Sequence, residues 1–269
     1  MAASRDPPFA VPEKRDAPLE FYTHSLCPYA HRVSLCLAEK AVPHHRVHID
    51  LSKKPDWYLQ LNPRGLVPAI RLPSGEVLTE SIDLCYWLEE HFTASDGHPS
   101  LIPAGANKET EMRRLIRGFD GGFISAGLQF VGGGWGFSLG NPGARQTDRM
   151  TSEVQLLEAI IEDNGGGPYL MGPEISLADI VLYPFAERFE LAMREFQKIE
   201  LAEMSSGGGG RGGRGGRGGG EVFAQWLRSM AERESCKCLR PDDDALLVSW
   251  RRTMRLDYFD YETADIDHP

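Results

Sequence analysis

Apolar and polar positions follow two rhythms along this chain, and the change between them divides it. Up to residue 92, short alternating runs are mixed with helical ones. Leu19 to Thr23 is a predicted strand. His24-Ser25-Leu26-Cys27-Pro28 follows and opens a helical stretch whose apolar positions are Val33, Leu35, Cys36 and Leu37. Pro43 stops that helix. Val47, Ile49 and Leu51 alternate with polar neighbours, which predicts a second strand over 46–51. Residues 55–61 read as a short helix or turn ended by Asn62-Pro63. Leu66 to Leu72 is a third strand interrupted by Pro68. The turn Pro73-Ser74-Gly75-Glu76 then leads into a fourth at Val77 to Thr79. Ser81 to Phe92 is a helix with Ile82, Leu84, Cys85 and Leu88 apolar.

Beyond that helix the strand rhythm stops. Residues 94–107, with Gly97, Pro99, Pro103 and Gly105, read as a linker. Helical periodicity then runs over roughly 108–130, 144–163, 177–198, 222–234 and 243–256. The expected architecture is a small α/β domain over 19–93, ordered β-α-β and then β-β-α, followed by an all-α domain over 108–269. Residues 1–18 are rich in Pro and charge and read as a flexible arm. Residues 205–220 hold 11 Gly, 3 Arg and 2 Ser, the composition of a flexible insertion between two helices.

Composition narrows the class. The 269 residues are 41% hydrophobic and 25% charged, ordinary values for a folded chain long enough to bury real cores. A net charge of −10 argues against broad binding to nucleic acid or anionic membranes. The Gly/Arg run could touch phosphates, but it has no aromatic residue for base stacking. RNA is therefore not an expected partner. No stretch approaches the roughly 20 apolar residues of a membrane span, and the first residues lack the apolar core of a secretory signal. A cytoplasmic site is expected.

The five Cys, at 27, 36, 85, 236 and 238, make no disulfide framework. Cys236-Lys237-Cys238 has no second ligand pair at zinc spacing, and His44, His45 and His48 sit at a turn and the start of a strand rather than on a helix. No metal is expected. An exposed reactive thiol at 236 or 238 is the better reading of that pair.

Cys27 is different, because it stands where a strand hands over to a helix. Pro28 suits the first helical turn, where its missing N–H costs nothing. The unpaired amides and the positive end of the helix dipole then face Cys27 and favour thiolate over thiol. The fourth position decides the chemistry. A redox dithiol needs Cys at 30, and the chain has Ala30. Cys36 lies nine residues along the same helix, about 13 Å of rise, whereas a disulfide needs Cα atoms within about 7 Å. Cys85 is on another helix, and only coordinates can exclude it. The chemistry implied is monothiol, with an external thiol completing each cycle. Two further features share the domain. Pro68 inside a strand is explained by a cis X-Pro that turns backbone toward a ligand, or by an edge strand. Glu80-Ser81 opens a helix, with Ser81 a candidate N-cap at a start that can also hold a carboxylate.

These residues resemble the cytosolic glutathione transferase superfamily, and its cysteine-type lambda and omega classes most. The resemblance rests on Cys27-Pro28-Tyr29-Ala30, Lys53-Lys54-Pro55-Asp56-Trp57-Tyr58, Asn62-Pro63, Gly65-Leu66-Val67-Pro68 and Glu80-Ser81. Ile175-Ser176-Leu177-Ala178-Asp179-Ile180 looks like the superfamily's buried capping box, and Pro184 to Phe189 continues like the lambda class. It implies a thioredoxin-like domain followed by a helical one. It implies that Cys27 forms a mixed disulfide with glutathione. The Val67 backbone, presented by cis-Pro68, would pair with the cysteinyl part. Glu80 and Ser81 would bind the γ-glutamyl end, and Lys54 the glycyl carboxylate. Ser176 and Asp179 would be structural. The omega class nominates Arg188 and Trp250 near the second substrate, and implies a dimer where the lambda class implies a monomer. The implied activities are thioltransfer, dehydroascorbate reduction and reductive removal of glutathione from small-molecule adducts.

A carrier of flat hydrophobic ligands on the same fold is the alternative. The dense aromatics Phe119, Phe123, Phe130 and Trp135 would line its pocket, unless they are interhelical core.

Overall fold

A computed structural model describes residues 19–132, 142–206 and 221–254. The arm 1–18, Trp135 and the Gly/Arg residues 207–220 lie outside the described residues. The chain divides into two compact units. One contains described residues 19–101 and 232–246, the other those of 102–231 and 247–254.

The first unit runs β1 (Glu20–Thr23), α1 (Pro28–Glu39), β2 (His45–His48), α2 (Asp56–Leu61), β3 (Ala69–Arg71), β4 (Val77–Thr79) and α3 (Ser81–His91). The strands lie in the order β2-β1-β3-β4. β1 and β2 are parallel, so they need a crossover, and α1 provides it. β1–β3 and β3–β4 are antiparallel, in a register that sets Tyr22 against Ala69 and Ile70 against Leu78. Successive strand side chains alternate faces. Phe21 and Tyr22 are both buried, as are Ala69 and Ile70, so both faces of the sheet are covered. The Tyr22 and Ala69 side holds a cluster with Cys27, Ala30, Ile49, Leu51, Tyr58 and Val67.

α1 buries Val33, Leu35, Cys36 and Leu37 completely and packs on α3. Each such aliphatic side chain contributes about 1.5–3 kcal/mol by leaving water. At the far end of α1, Lys40 is fully buried. Its ammonium is 2.8 Å from Glu89 and donates to the Pro99 carbonyl at 2.8 Å. The stretch expected as a plain linker is thus tied down, and it contains a short 3-10 turn at Ala94–Asp96.

Two expectations shift in this unit. The third strand starts only at Ala69, so Pro68 precedes it, and the strand sits inside the sheet rather than on its edge. Helix α3 begins at Ser81, and its N-cap position is Glu80 at φ +69°. Ser81 is therefore the first helical residue and not the cap.

A helix absent from the sequence reading belongs here as well. α9 (Glu234–Leu239) packs on α1, where Arg233 donates to Glu39 at 2.8 and 2.6 Å and Ser235 bonds the same carboxylate. Residues 232–246 thus group with the N-terminal unit, although pattern alone counted them in the helical domain.

The second unit holds α4 (Ala106–Phe119), α5 (Ser125–Gly132), α6 (Ala144–Asp163), α7 (Leu177–Ala192), α8 (Glu221–Ala231) and residues 247–254 of α10 (Asp243–Met254). The single helix expected over 108–130 is broken by a π-helical turn at Asp120–Ile124, where Gly122 leaves helical geometry. Arg149 from α6 braces the break, donating to the Gly121 carbonyl at 2.9 Å and to Ser125 at 3.2 Å. α5 approaches α7 so closely that a Cβ on Gly127 would lie 2.1 Å from the Phe189 ring. A second π-helical turn, Met193–Gln197, ends α7. Among the described residues no helix is long and apolar enough to cross a membrane.

Candidate active site

Cys27 caps α1 from outside, with extended backbone (φ −73°, ψ 117°) and Pro28 as the first helical residue. The loop before it is closed by the Cys27 N–H, which donates to the His24 carbonyl at 3.1 Å. The helix starts with the His31 N–H on the Cys27 carbonyl at 3.0 Å. The thiol thus belongs to the N-cap residue of α1 and makes no capping hydrogen bond to the helix amides. It is 4% exposed, and its Sγ lies 3.8 Å from the Val67 carbonyl.

The Val67–Pro68 peptide is cis. The segment before it is held from α2, since the Leu66 carbonyl accepts from the Tyr58 hydroxyl at 2.6 Å and from Asn62 Nδ2 at 2.8 Å. Burial pushes the Tyr58 phenol above its ordinary range. The Asn62 hydrogen bond pulls it down, and the neighbouring Cys27 charge pushes it further up. A neutral phenol is the form that donates to Leu66. Sequence pattern gave Tyr58 and Asn62 no role, because their common target is a backbone carbonyl.

Gly65 also has φ in the left-handed region, at +61°, which glycine adopts without strain. The Lys54 stem runs over it, since a Cβ at Gly65 would be 2.9 Å from Lys54 Cδ. Lys54 is thus carried two residues from Val67, on the α2 side of the site.

On the other side, β4 delivers Glu80 and Ser81 at the head of α3. Ser81 is buried, and its Oγ accepts from Arg32 Nη1 at 3.2 Å. The Glu80 carboxylate is paired with Arg64, and both side chains are more than half exposed. Arg32 and Arg64 were not singled out from the sequence. Arg32 meets its partner 49 residues away in the chain and Arg64 16 away, so no local spacing marks them.

The structure thus gathers Cys27, Lys54, Val67, Pro68, Glu80 and Ser81 on one unit. The arrangement sets a thiol beside a backbone carbonyl, with Lys54 on the α2 side and the Ser81 hydroxyl at the head of α3. Cys36 and Cys85 meet below it, the Cys36 Sγ being 4.0 Å from the Cys85 carbonyl. Both are fully buried, and burial pushes the Cys36 thiol well up, away from nucleophilic chemistry.

Arg188 and Trp250 belong to the second unit, and each is buried among its own neighbours. Arg188 donates to the Pro184 carbonyl at 2.8 Å and lies 3.7 Å from Glu187. Trp250 packs edge-on to Phe196, with ring centroids 6.4 Å apart. The described aromatics of the carrier reading are core. Phe119, Phe123 and Phe130 are at most 3% exposed, and Phe123 meets Phe189 and Phe223. Cys236 is buried, and Cys238 is half-buried.

Ser176 and Asp179 form the expected capping box. Asp179 Oδ2 accepts from the Ser176 amide at 2.8 Å and its hydroxyl at 2.7 Å. Oδ1 accepts from the Leu170 amide at 2.9 Å and Trp226 Nε1 at 2.8 Å, which pattern did not anticipate.

Two family models match the chain, the glutathione S-transferase N-terminal domain over residues 26–91 and its C-terminal domain over 143–229. Glutathione S-transferase omega-1 of Rattus norvegicus is 36% identical over 186 residues, covering 68% of this chain and 71% of that one. Pyrimidodiazepine synthase of Drosophila melanogaster is 31% identical over 184 residues, covering 67% and 68%. Among solved structures, glutathione transferase Omega 3C from Trametes versicolor superposes with a TM-score of 0.72 at 21% identity, covering 91% of this chain and 94% of that one.

Proposed function

This chain belongs to the glutathione S-transferase family, and from that premise we propose that it is a cysteine-type, glutathione-dependent thioltransferase acting through Cys27 in the cytoplasm. The observation that carries the reading is the place of Cys27. It is a single thiol at the amide end of α1, 3.8 Å from the Val67 carbonyl, with Ala at position 30.

The cycle has two displacements. The Cys27 thiolate attacks the glutathionyl sulfur of R–S–SG. The Cys27–SG bond forms and RS⁻ leaves with the electron pair of the broken S–S bond, taking a proton from water. A glutathione thiolate then attacks the glutathionyl sulfur of that mixed disulfide; the GS–SG bond forms, the bond to Cys27 breaks, and the Cys27 thiolate leaves with its electron pair. One adduct is reduced and two glutathione units leave as the disulfide. Dehydroascorbate reduction uses the same two thiol oxidations. A Ser or Tyr at this position would stabilise glutathione's own thiolate for conjugation, whereas a Cys becomes covalent and favours reduction.

In this reading the Val67 backbone pairs with the cysteinyl part of glutathione. Glu80 faces the γ-glutamyl ammonium, Ser81 its carboxylate, and Lys54 the glycyl carboxylate. The assignment of Arg188 and Trp250 to the second substrate rests on the resemblance to the omega class alone.

The test is intact and peptide-level mass after treatment with glutathione disulfide, beside turnover on the mixed disulfide of mercaptoethanol and glutathione. The wild type gains one glutathionyl group on Cys27 and turns over, and Cys27→Ser does neither. A wild type unmodified at Cys27 and without turnover overturns the proposal.

A further inference from the structure

Arg32 takes no part in the cycle above, yet its position is costly. It stands on α1 five residues after Cys27, with only 1% of its surface exposed. Its guanidinium also lies over the Tyr29 ring, 5.2 Å from the centroid. Burying a guanidinium is expensive unless its bonds serve a purpose. One of them goes to Ser81, whose Oγ accepts from Nη1 at 3.2 Å.

The direction of that bond matters. A guanidinium only donates, while a serine hydroxyl both donates and accepts. Ser81 Oγ therefore spends a lone pair on Arg32, and its own proton must point to a different acceptor. Ser81 is the first residue of the 11-residue helix α3, where the amides and the dipole already favour an anion. The buried charge of Arg32 stands directly behind that hydroxyl.

We infer that Arg32 is a positioning residue that makes the Ser81 hydroxyl an obligate donor to the α-carboxylate of the γ-glutamyl group, and so sets the preference for γ-glutamyl thiols. The inference rests on the glutathione reading above. Its consequence is narrower than a general effect on affinity. Arg32 should matter only for ligands that carry the α-carboxylate.

Two ligands isolate that group, namely glutathione and 4-aminobutyryl-cysteinylglycine, which keeps the ammonium and lacks only the carboxylate. Binding is measured by calorimetry on the full chain carrying Cys27→Ser, so that no covalent adduct forms. The parent should prefer glutathione by about tenfold or more, the scale of a charge-assisted hydrogen bond. Adding Arg32→Met should bring the two ligands within about threefold by weakening glutathione alone. A residue with a merely structural role would weaken both ligands alike and leave the ratio standing. Arg32→Lys keeps the charge without the fork and should give an intermediate ratio. It decides the matter by the same ratio should the Met variant fail to fold. Ser81→Ala should also collapse the ratio, and combining it with Arg32→Met should add little, since both act through one hydroxyl.

A ratio unchanged in the Arg32 variants overturns the inference and leaves the glutathione reading intact. No glutathione binding by the parent overturns both.

Discussion

The two units of this chain place their polar groups to opposite ends. In the first, the residues of the candidate site stand at the ends of elements: Cys27 ahead of α1, Val67 and Pro68 ahead of β3, Glu80 and Ser81 at the head of α3. Helix heads and strand ends expose backbone groups that a ligand can satisfy. In the second unit the most heavily bonded carboxylate, Asp179, is fully buried, and its two oxygens accept from Ser176, Leu170 and Trp226. There the polar bonds close within the chain. One pattern sets polar groups at the ends of elements, and the other gathers them around one buried carboxylate. Substitutions in the two units should therefore separate function from stability.

The largest effect should come from Asp179→Ala. It strips acceptors from buried groups on α7, on α8 and on the segment before α7 at once. Each buried donor left without its acceptor costs about 1–3 kcal/mol, so several lost together amount to about 3–5 kcal/mol. Denaturant unfolding should show a loss of that size. The reactivity of Cys27 toward a disulfide, measured on the fraction that remains folded, should be unchanged. A loss below about 1 kcal/mol would mean that this network resembles a surface pair, and the contrast between the units would fall.

The same contrast explains what could be read from the sequence. The capping box was legible because Ser176 and Asp179 are three residues apart and the chemistry is local. Cys27-Pro28 was legible for the same reason, and so was the order of strands and helices from β1 to α3. Trp226 and Leu170 as further partners of Asp179 were not, since folding alone brings them together. Arg32 with Ser81, Arg64 with Glu80, and Arg233 with Glu39 are hidden in the same way, the last pair being 194 residues apart. The break between α4 and α5 did carry a signal, the consecutive Gly121 and Gly122 inside an apparent helical run. The boundary near residue 232 carried none. Helical periodicity reports which face of α9 is apolar, not which unit it covers.

A smaller effect separates the units by pH. Glu190, near the end of α7, accepts from the Leu201 amide at 3.0 Å. Burial, with Glu200 beside it, raises its carboxyl from the ordinary value to about 7. The fold therefore favours the protonated form. That contribution is complete below the unfolded value of about 4.3 and is lost as pH rises through the folded value near 7. Across that window the second unit should lose a few degrees of melting temperature on the scale of a small free-energy change. Glu190→Gln, measured by thermal melting at matched pH values, should flatten that part of the curve. An unaltered pH slope in the variant would mean that the carboxyl is not held protonated.

The smallest effect tests the first unit from the other side. Arg64 and Glu80 form an ion pair whose side chains are 63% and 57% exposed, the kind of surface pair that contributes little to folding. Arg64→Ala should leave unfolding within about 0.5 kcal/mol of wild type. Its effect should fall on ligand binding. Glutathione is a net anion at neutral pH, and the site presents it with the Glu80 carboxylate. Arg64 offsets that charge and holds one carboxylate oxygen, leaving the other for the γ-glutamyl ammonium. Without Arg64 the full charge of Glu80 meets the anion, and its side chain is no longer oriented. KM for glutathione should rise by about threefold, on the scale of an exposed ion pair, with kcat unchanged. The difference should shrink as salt shortens the reach of exposed charges. Wild-type KM with lowered stability would reverse the assignment, making Arg64 a brace for the α3 entry rather than part of the ligand's surroundings.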